Sequence, residues 1–260
     1  MNKVKIGHVY RETPGTWSEL TRRQLLHLVP LLFKPASSEV EVHVLLLHQL
    51  LGLPYVLWRG LSHFQIADLL RLVRWLTAPS RLTKQLLPVL GPWYARLAGP
   101  GDWLGGVQVW EFANAETQLR KWVASQAEAD LNRLVAVLYR PRRWFWWLLK
   151  FSPSYTGDAR QVFNEKSVAR RAQRVARLPL AHRQAVLLYY LGCRAQLEQA
   201  YPHLFSGDEG NGKDPNPWLT LIGRLPNEKF GRLDQISVRP LHTVLHFTNQ
   251  FIRDAPKDEK

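Results

Sequence analysis

Most apolar residues of this 260-residue chain recur at spacings of three and four, the period of an α-helix with one buried face. A clear case lies near the N-terminus, where Leu25, Leu28 and Leu32 share one face. Thr21 and Gln24 form a predicted capping box in front of it. No alternating pattern typical of strands rises above this signal. We therefore predict an all-α fold, an irregular multi-helix bundle of about eight to ten helices.

The periodic segments are separated by stretches rich in Gly and Pro, which interrupt helices. The longest such stretch, residues 91–106, also contains Trp and is the predicted internal boundary of an otherwise single helical domain covering residues 1–260. Residues 255–260 form a predicted frayed tail. The predicted helices cover residues 21–33, 39–51, 62–76, 80–90, 109–125, 127–139, 164–178, 180–201 and 237–253.

The most membrane-like segment, residues 42–58, is short and is interrupted by two histidines, Gly52 and Pro54. A bilayer-spanning helix needs about 20 mostly apolar residues. We interpret this segment as a buried core helix that ends near Gly52. The N-terminus has charges without a following apolar stretch, so no secretory signal is predicted and the expected location is cytoplasmic.

Residues 207–213 match the spacing of a phosphate-binding loop, but their context argues against that function. The next residue is Asp214 instead of the Ser or Thr that would hold magnesium. Pro215 and Pro217 then break the helix whose N-terminus would face the phosphate. We predict a surface loop here, and no cofactor for the protein.

Metal-binding and catalytic arrangements are not evident in the sequence either. His242 and His246 would share one helix face, but no third ligand accompanies them. Cys193 lies in an apolar helical segment, where a free cysteine packs as a small hydrophobic residue. Glu111 and Glu116 are five residues apart, which directs them to different helix faces. We therefore predict no metal site, no catalytic residue and no enzymatic activity.

Positive charge is concentrated in one part of the chain. The protein has 35 Lys and Arg against 21 Asp and Glu, a formal net charge of +14. Between residues 140 and 183, eleven basic residues are opposed only by Asp158 and Glu165, so this stretch carries +9. The predicted interaction surface consists of Arg140, Arg142, Arg143, Trp144, Trp146, Trp147, Arg170, Arg171, Arg174 and Arg177.

Four interpretations of this basic and aromatic region stay open. The tryptophans could pack in the core behind a solvated arginine face. Trp and Arg are also the residues most enriched at the centre of protein–protein interfaces, where an acidic partner would complement the charge. A basic face with aromatic neighbours could instead bind a phosphate backbone and stack bases. The fourth alternative is an anionic membrane surface, which Arg and Trp together could contact.

Several segments occur in an order that resembles a group of uncharacterised helical proteins encoded among the tail genes of prophages and phage-like particles. The segments are WEFANAETQLRKW (110–122), LNRLVAVLYRP (131–141), GDARQVFNE (157–165), LPLAHRQAVLLYYLGCRAQLEQAYPHLF (178–205) and KFGRLD (229–234). The resemblance implies an assembly-associated or minor structural protein of a phage-tail-like particle, without enzymatic activity. It implies no functional residues.

The sequence thus predicts a non-enzymatic protein that binds another protein with an acidic surface. The alternative is a nucleic-acid-binding protein that uses the same basic region, residues 140–183.

Overall fold

The computed structural model describes residues 1–6, 8–35, 38–143, 151, 158–204 and 233–254. Its α-helices within these ranges are α1 (Arg22–Leu32), α2 (Glu39–Leu51), α3 (Tyr55–Arg59), α4 (His63–Leu69), α5 (Arg74–Thr77), α6 (Val109–Ser125), α7 (Glu128–Leu138), α8 (Val168–Val175), α9 (Leu180–Ala200), α10 (Leu233–Ser237) and α11 (Leu241–Asp254). The strands are β1 (Asn2–Ile6), β2 (Val9–Thr13), β3 (Val89–Leu90) and β4 (Leu97–Ala98).

The fold is mostly helical, as the periodicity predicts, but it also contains two small antiparallel sheets. The prediction of a purely all-α chain is therefore wrong in this detail. In the first sheet, β1 pairs with β2 so that Val4 lies opposite Arg11 and Ile6 opposite Val9. Most residues of this hairpin are exposed and each strand buries only one residue. The strands therefore lack the alternation of apolar and polar residues by which a strand is predicted from sequence.

The chain divides into two compact units, the first formed by Met1–Leu87 and Pro179–Cys193, the second by Pro88–Leu178 and Arg194–Lys260. The single domain and its boundary near residues 91–106 stay predictions. The predicted frayed tail, residues 255–260, lies outside the described residues.

In the first unit, α1 packs against α2 through buried leucines. The predicted capping box is confirmed: Thr21 Oγ1 accepts the backbone N–H of Gln24, and the Gln24 side chain accepts the N–H of Thr21. Helix α2 ends where predicted, at Gly52, whose φ of 54° is a left-handed conformation that glycine adopts without steric cost. Among the helices of the described ranges, none combines the length and apolar character needed to cross a bilayer.

Two predicted helices of this unit differ from the structure. The segment 62–76 is divided into α4, a 3-10 turn and α5, and Val73, which precedes α5, is buried. Residues 80–90 are not helical: Val89–Leu90 forms β3, and Ser80 is held by a tertiary contact with α9. The Ser80 hydroxyl donates to the Leu188 carbonyl at 2.9 Å and accepts the N–H of Leu82 at 3.3 Å.

The second unit is built around α6 and α7, which pack on each other and are joined at Gln126. Helix α8 packs against α7, and α11 contacts α6. The second sheet, β3 with β4, extends by one bridge from Ala98 to the backbone of Arg140, just after α7. These contacts bring the end of α7 and residues 158–164 next to the start of α6.

Candidate functional site

Four charged side chains form a buried cluster in the second unit. Glu111, on α6, accepts hydrogen bonds from Arg140 Nη2 at 2.7 Å and from Arg160 Nη1 at 2.8 Å. Asp158 accepts from Arg160 Nε at 2.8 Å and from Arg140 Nη2 at 3.2 Å. The cluster contains two positive and two negative groups, so its charges balance within the protein interior.

Every nitrogen of the Arg160 guanidinium has a partner. Besides the two carboxylates, Nη1 donates to the Leu138 carbonyl at 2.7 Å and Nη2 to the Gly106 carbonyl at 2.9 Å. Arg140 Nη1 in turn donates to the Gln161 carbonyl at 2.5 Å. These bonds join α6, the end of α7 and the segment 158–161, so the cluster fixes the position of that segment.

The electrostatics of the cluster follow from burial and pairing. Burial raises the pKa of the Glu111 carboxyl, and the guanidiniums of Arg160 and Arg140 oppose that rise. Burial alone would lower the pKa of Arg160, but Glu111 and Asp158 together outweigh it and raise the pKa. Arg160 therefore keeps its charge, and we interpret the cluster as a structural support instead of an acid–base centre.

The supported segment forms one wall of an open groove. Arg140 lies over the ring of Phe163, with its Cζ atom 5.9 Å from the ring centroid. Phe163 faces a groove of about 870 Å³ that mixes exposed apolar residues with polar ones. The groove is lined by Trp110, Val162, Phe163, Asn164, Glu165, Lys166 and Ala169.

Helix α8 borders this groove and is held on α7 by its buried face. Val168, Arg171 and Val175 are buried there. Arg171 donates from Nε to the Ala136 carbonyl at 2.9 Å and from Nη1 to the Ser167 hydroxyl at 2.6 Å. Burial, with a smaller contribution from nearby Arg140, lowers the pKa of Arg171 to about 10.

The opposite side of α8 carries a row of exposed basic residues. Lys166, Arg170, Arg174 and Arg177 are exposed and follow one another at helical spacing; we call these four residues the α8 basic face. Within the described part of the chain, none of the three arginines forms an ion pair or a side-chain hydrogen bond. At about 1.5 Å per residue, the face extends over about 16 Å.

The structure divides the residues of the predicted interaction surface. Arg170, Arg174 and Arg177 are exposed on one face, as predicted. Arg140 and Arg171 are buried, with 1% and 6% of their surface exposed, so their assignment to an exposed surface is wrong. Both predictions failed because acceptors from other segments, which the local sequence does not reveal, take donors of these guanidiniums: Glu111 and Asp158 for Arg140, and the Ala136 carbonyl for Arg171. The remaining aromatic candidates, Trp144, Trp146 and Trp147, lie outside the described residues.

Arg142 and Arg143 belong to a short pairing between chain segments. The backbone of Arg142 bridges that of Arg160, and the Arg143 N–H donates to the Ala159 carbonyl at 2.9 Å. Arg143 Nε also donates to the Arg160 carbonyl at 2.9 Å. Arg142 is exposed and Arg143 is half-buried.

Sequence reasoning missed the residues that shape the groove. Trp110, Val162 and Phe163 were not candidates, and Glu111 was considered only as one of an acid–base pair. Glu111 and Glu116 are both fully buried on α6, and each has its own arginine partners: Arg194 Nε lies 3.2 Å from the Glu116 carboxylate. The available signal was the placement of both glutamates next to apolar residues of α6, because buried carboxylates require cationic partners.

The other sequence motifs are not among the described residues that line this groove. Residues 207–213 are outside them. His242 Nε2 is 2.6 Å from the Trp103 carbonyl oxygen, and His246 is exposed beside Phe247. Cys193 is buried, with its Sγ 3.9 Å from the Thr83 carbonyl oxygen. Within the described ranges, no three His, Cys, Asp or Glu side chains come together as metal ligands would.

Comparison with known protein families, with curated proteins and with solved structures returned no match to this chain. The groove, the α8 basic face and the buried cluster behind them are therefore the basis on which its function is argued.

Proposed function

We propose that this protein binds an acidic segment of another protein through the α8 basic face. The observation that carries the proposal is the arrangement of Arg170, Arg174 and Arg177 on one exposed face, with no ion-pair partner among the described residues. Arginine presents a planar guanidinium that forms paired hydrogen bonds with carboxylates, which suits it to this role.

The charge pattern costs folding stability, which favours a binding role over a purely structural one. Like charges four residues apart on a helix destabilise it by about 0.2–0.5 kcal/mol per pair. Lys166, Arg170 and Arg174 form two such pairs along the α8 basic face. A partner that places carboxylates opposite them removes this repulsion and gains attraction.

The backbone beneath the arginines is held in place before any partner binds. Arg171 joins α8 to the Ala136 carbonyl of α7, and Val168 and Val175 pack against the same unit. A surface whose backbone is already ordered loses less conformational entropy on association than a mobile one. Only the long arginine side chains need to be ordered by the partner.

The apolar residues of the groove favour a protein partner over a nucleic acid. Trp110, Val162 and Phe163 line the groove beside the basic face, and apolar side chains of a protein can fill such a space. Trp144, Trp146 and Trp147, which would stack on bases in the nucleic-acid interpretation, lie outside the described residues. We keep nucleic-acid binding as the outcome that would replace this proposal.

Assembly of a phage-tail-like particle is the biological role that we propose for this binding. Its support is the order of helical segments described above, which resembles proteins encoded among tail genes. The partner would then be another protein of the particle or of its assembly, with an acidic segment accessible to the α8 basic face.

The test compares three forms of the full-length protein in affinity capture from the native lysate, with and without nuclease. The first is the unmodified chain, and the second carries Arg170→Glu, Arg174→Glu and Arg177→Glu. The control carries the same charge change at exposed positions of the first unit, Arg22→Glu, Arg23→Glu and Arg81→Glu. Captured proteins are identified by mass spectrometry.

We expect a nuclease-resistant partner that the unmodified protein and the control retain and that the α8 variant loses. Equal capture by all three forms would overturn the proposal. Loss of every partner after nuclease treatment would assign the face to nucleic acid. In that case the affinity for duplex DNA should fall by about three decades between 50 and 200 mM salt if about six phosphates are contacted.

A further inference from the structure

We infer that the groove beside α8 binds one large apolar side chain of the same acidic segment, so that the partner is recognised by an apolar anchor followed by carboxylates. This inference rests on the proposed function and specifies the chemistry of its partner. It assigns the groove to Phe, Leu or a similar side chain and assigns the α8 basic face to the acidic residues that follow it.

The groove and the basic face are continuous at the start of α8. Lys166 belongs to both, and Ala169 lines the groove immediately before Arg170. From Lys166 the basic face continues for about three helical turns, or about 16 Å. A single segment that leaves the groove beside Lys166 can therefore follow Arg170 and Arg174 without a change of direction.

The groove presents apolar surface next to its polar residues. Val162 is 62% exposed and Trp110 is 38% exposed, so both present apolar surface to solvent at the groove. Burial of such surface gains about 25 cal/mol for each Å² removed from water. Ala169 has the smallest side chain among the lining residues and leaves room between α8 and the aromatic rings.

Glu165 distinguishes the groove from the α8 basic face. Its carboxylate is the one acidic group among the described lining residues. It repels acidic residues at the groove and favours an apolar side chain there. The α8 basic face lies beyond it toward the C-terminus, so the carboxylates of the partner follow the anchor in that direction.

The groove is preformed because the buried cluster supports its wall. Arg140 contacts the Phe163 ring on the side of the cluster, and the Gln161 carbonyl accepts from Arg140 Nη1. Residues 158–163 are thereby attached to α6 through Glu111. A binding wall that is held in this way does not have to be ordered when the anchor enters.

The experiment measures the affinity of synthetic helical peptides, about three turns long, for the full-length protein by calorimetry. The first peptide has Glu at every fourth position and Phe one turn before the first Glu. The second has Ala in place of Phe, and the third keeps Phe but has Gln in place of every Glu. The protein is tested unmodified, as Ala169→Trp, which fills the groove, and as Gln173→Trp, a control at an exposed α8 position outside the described lining.

We expect the Phe peptide to bind about tenfold or more tightly than the Ala peptide, since about 1.4 kcal/mol corresponds to a factor of ten. Ala169→Trp should abolish this difference, whereas Gln173→Trp should preserve it. Equal binding of the Phe and Ala peptides, with loss for the Gln peptide, would overturn the anchor and leave the proposed function intact. Binding by none of the acidic peptides would contradict both.

Discussion

Arg160 and Glu111 are 49 positions apart in the chain, and their side chains meet in the interior, with Nη1 2.8 Å from Oε1. Neither side chain is more than 2% exposed. This ion pair attaches the segment that carries Phe163 to the helix that carries Trp110. The two aromatic walls of the groove are therefore joined through the buried cluster, of which this ion pair is one contact.

Removing the charge of Glu111 should destabilise the second unit strongly. Glu111→Gln leaves the guanidiniums of Arg140 and Arg160 with only the Asp158 carboxylate, and breaking a buried ion pair in this way costs about 3–5 kcal/mol. The control Glu12→Gln removes an exposed pair with Lys3 and should change the free energy of unfolding by less than about 1 kcal/mol. Urea unfolding measures both, and similar values for the two variants would contradict the role of the cluster.

Arg171 and its neighbour Arg170 should respond differently to the same substitution. Arg171→Lys removes the guanidinium whose Nε donates to the Ala136 carbonyl and whose Nη1 donates to the Ser167 hydroxyl. This loss should lower the free energy of unfolding by about 1–3 kcal/mol. Arg170→Lys changes an exposed side chain and should stay within about 0.5 kcal/mol. Urea midpoints of the two single variants test this contrast. A larger loss of stability for Arg170→Lys than for Arg171→Lys would contradict this prediction.

Gly192 on α9 should not tolerate a side chain. A Cβ atom at this position would lie 2.5 Å from the backbone N and O of Leu82, which cannot move as a flexible side chain could. We expect Gly192→Ala to destabilise the first unit by about 1–3 kcal/mol or more through overpacking. Gly60→Ala is the control, because its nearest contact would be an ordinary 3.6 Å. Thermal unfolding compares them, and equal melting temperatures would show that the two segments are not in close contact.

Acidification should destabilise the first unit through His182. Burial, with a smaller contribution from Arg22, lowers the pKa of His182 below its ordinary value of 6.5. Between pH 6.5 and that lower pKa the unfolded chain binds more protons than the folded one, so the free energy of unfolding falls as the pH falls.

The histidine contribution is isolated by substitution. His182→Gln should reduce the loss of stability below pH 6.5, whereas His63→Gln, at an exposed position of α4, should preserve it. The measurement is the urea midpoint of each variant across a pH series. A steeper loss of stability for His182→Gln than for the unmodified protein would contradict the prediction that protonation of His182 destabilises the folded state.

Local features of the chain were predicted from the sequence because their causes are local. The capping box of Thr21 and Gln24, the end of α2 at Gly52 and the extents of α6 and α7 depend on residues within a few positions of one another. The common face of Arg170, Arg174 and Arg177 likewise follows from helical spacing alone.

Burial of charge was decided only by the tertiary structure. Arg140 and Arg171 have the same residue type and the same basic surroundings in sequence as the exposed arginines, yet they are buried. Burying a guanidinium is costly unless carboxylates and carbonyls accept most of its N–H donors, and here Glu111, Asp158 and Ala136 supply such acceptors from other segments. No local pattern contains that information. The sequence by itself determined most of the helices and the location of the positive charge. Only the packing of distant segments decided which arginines support the groove and which are exposed.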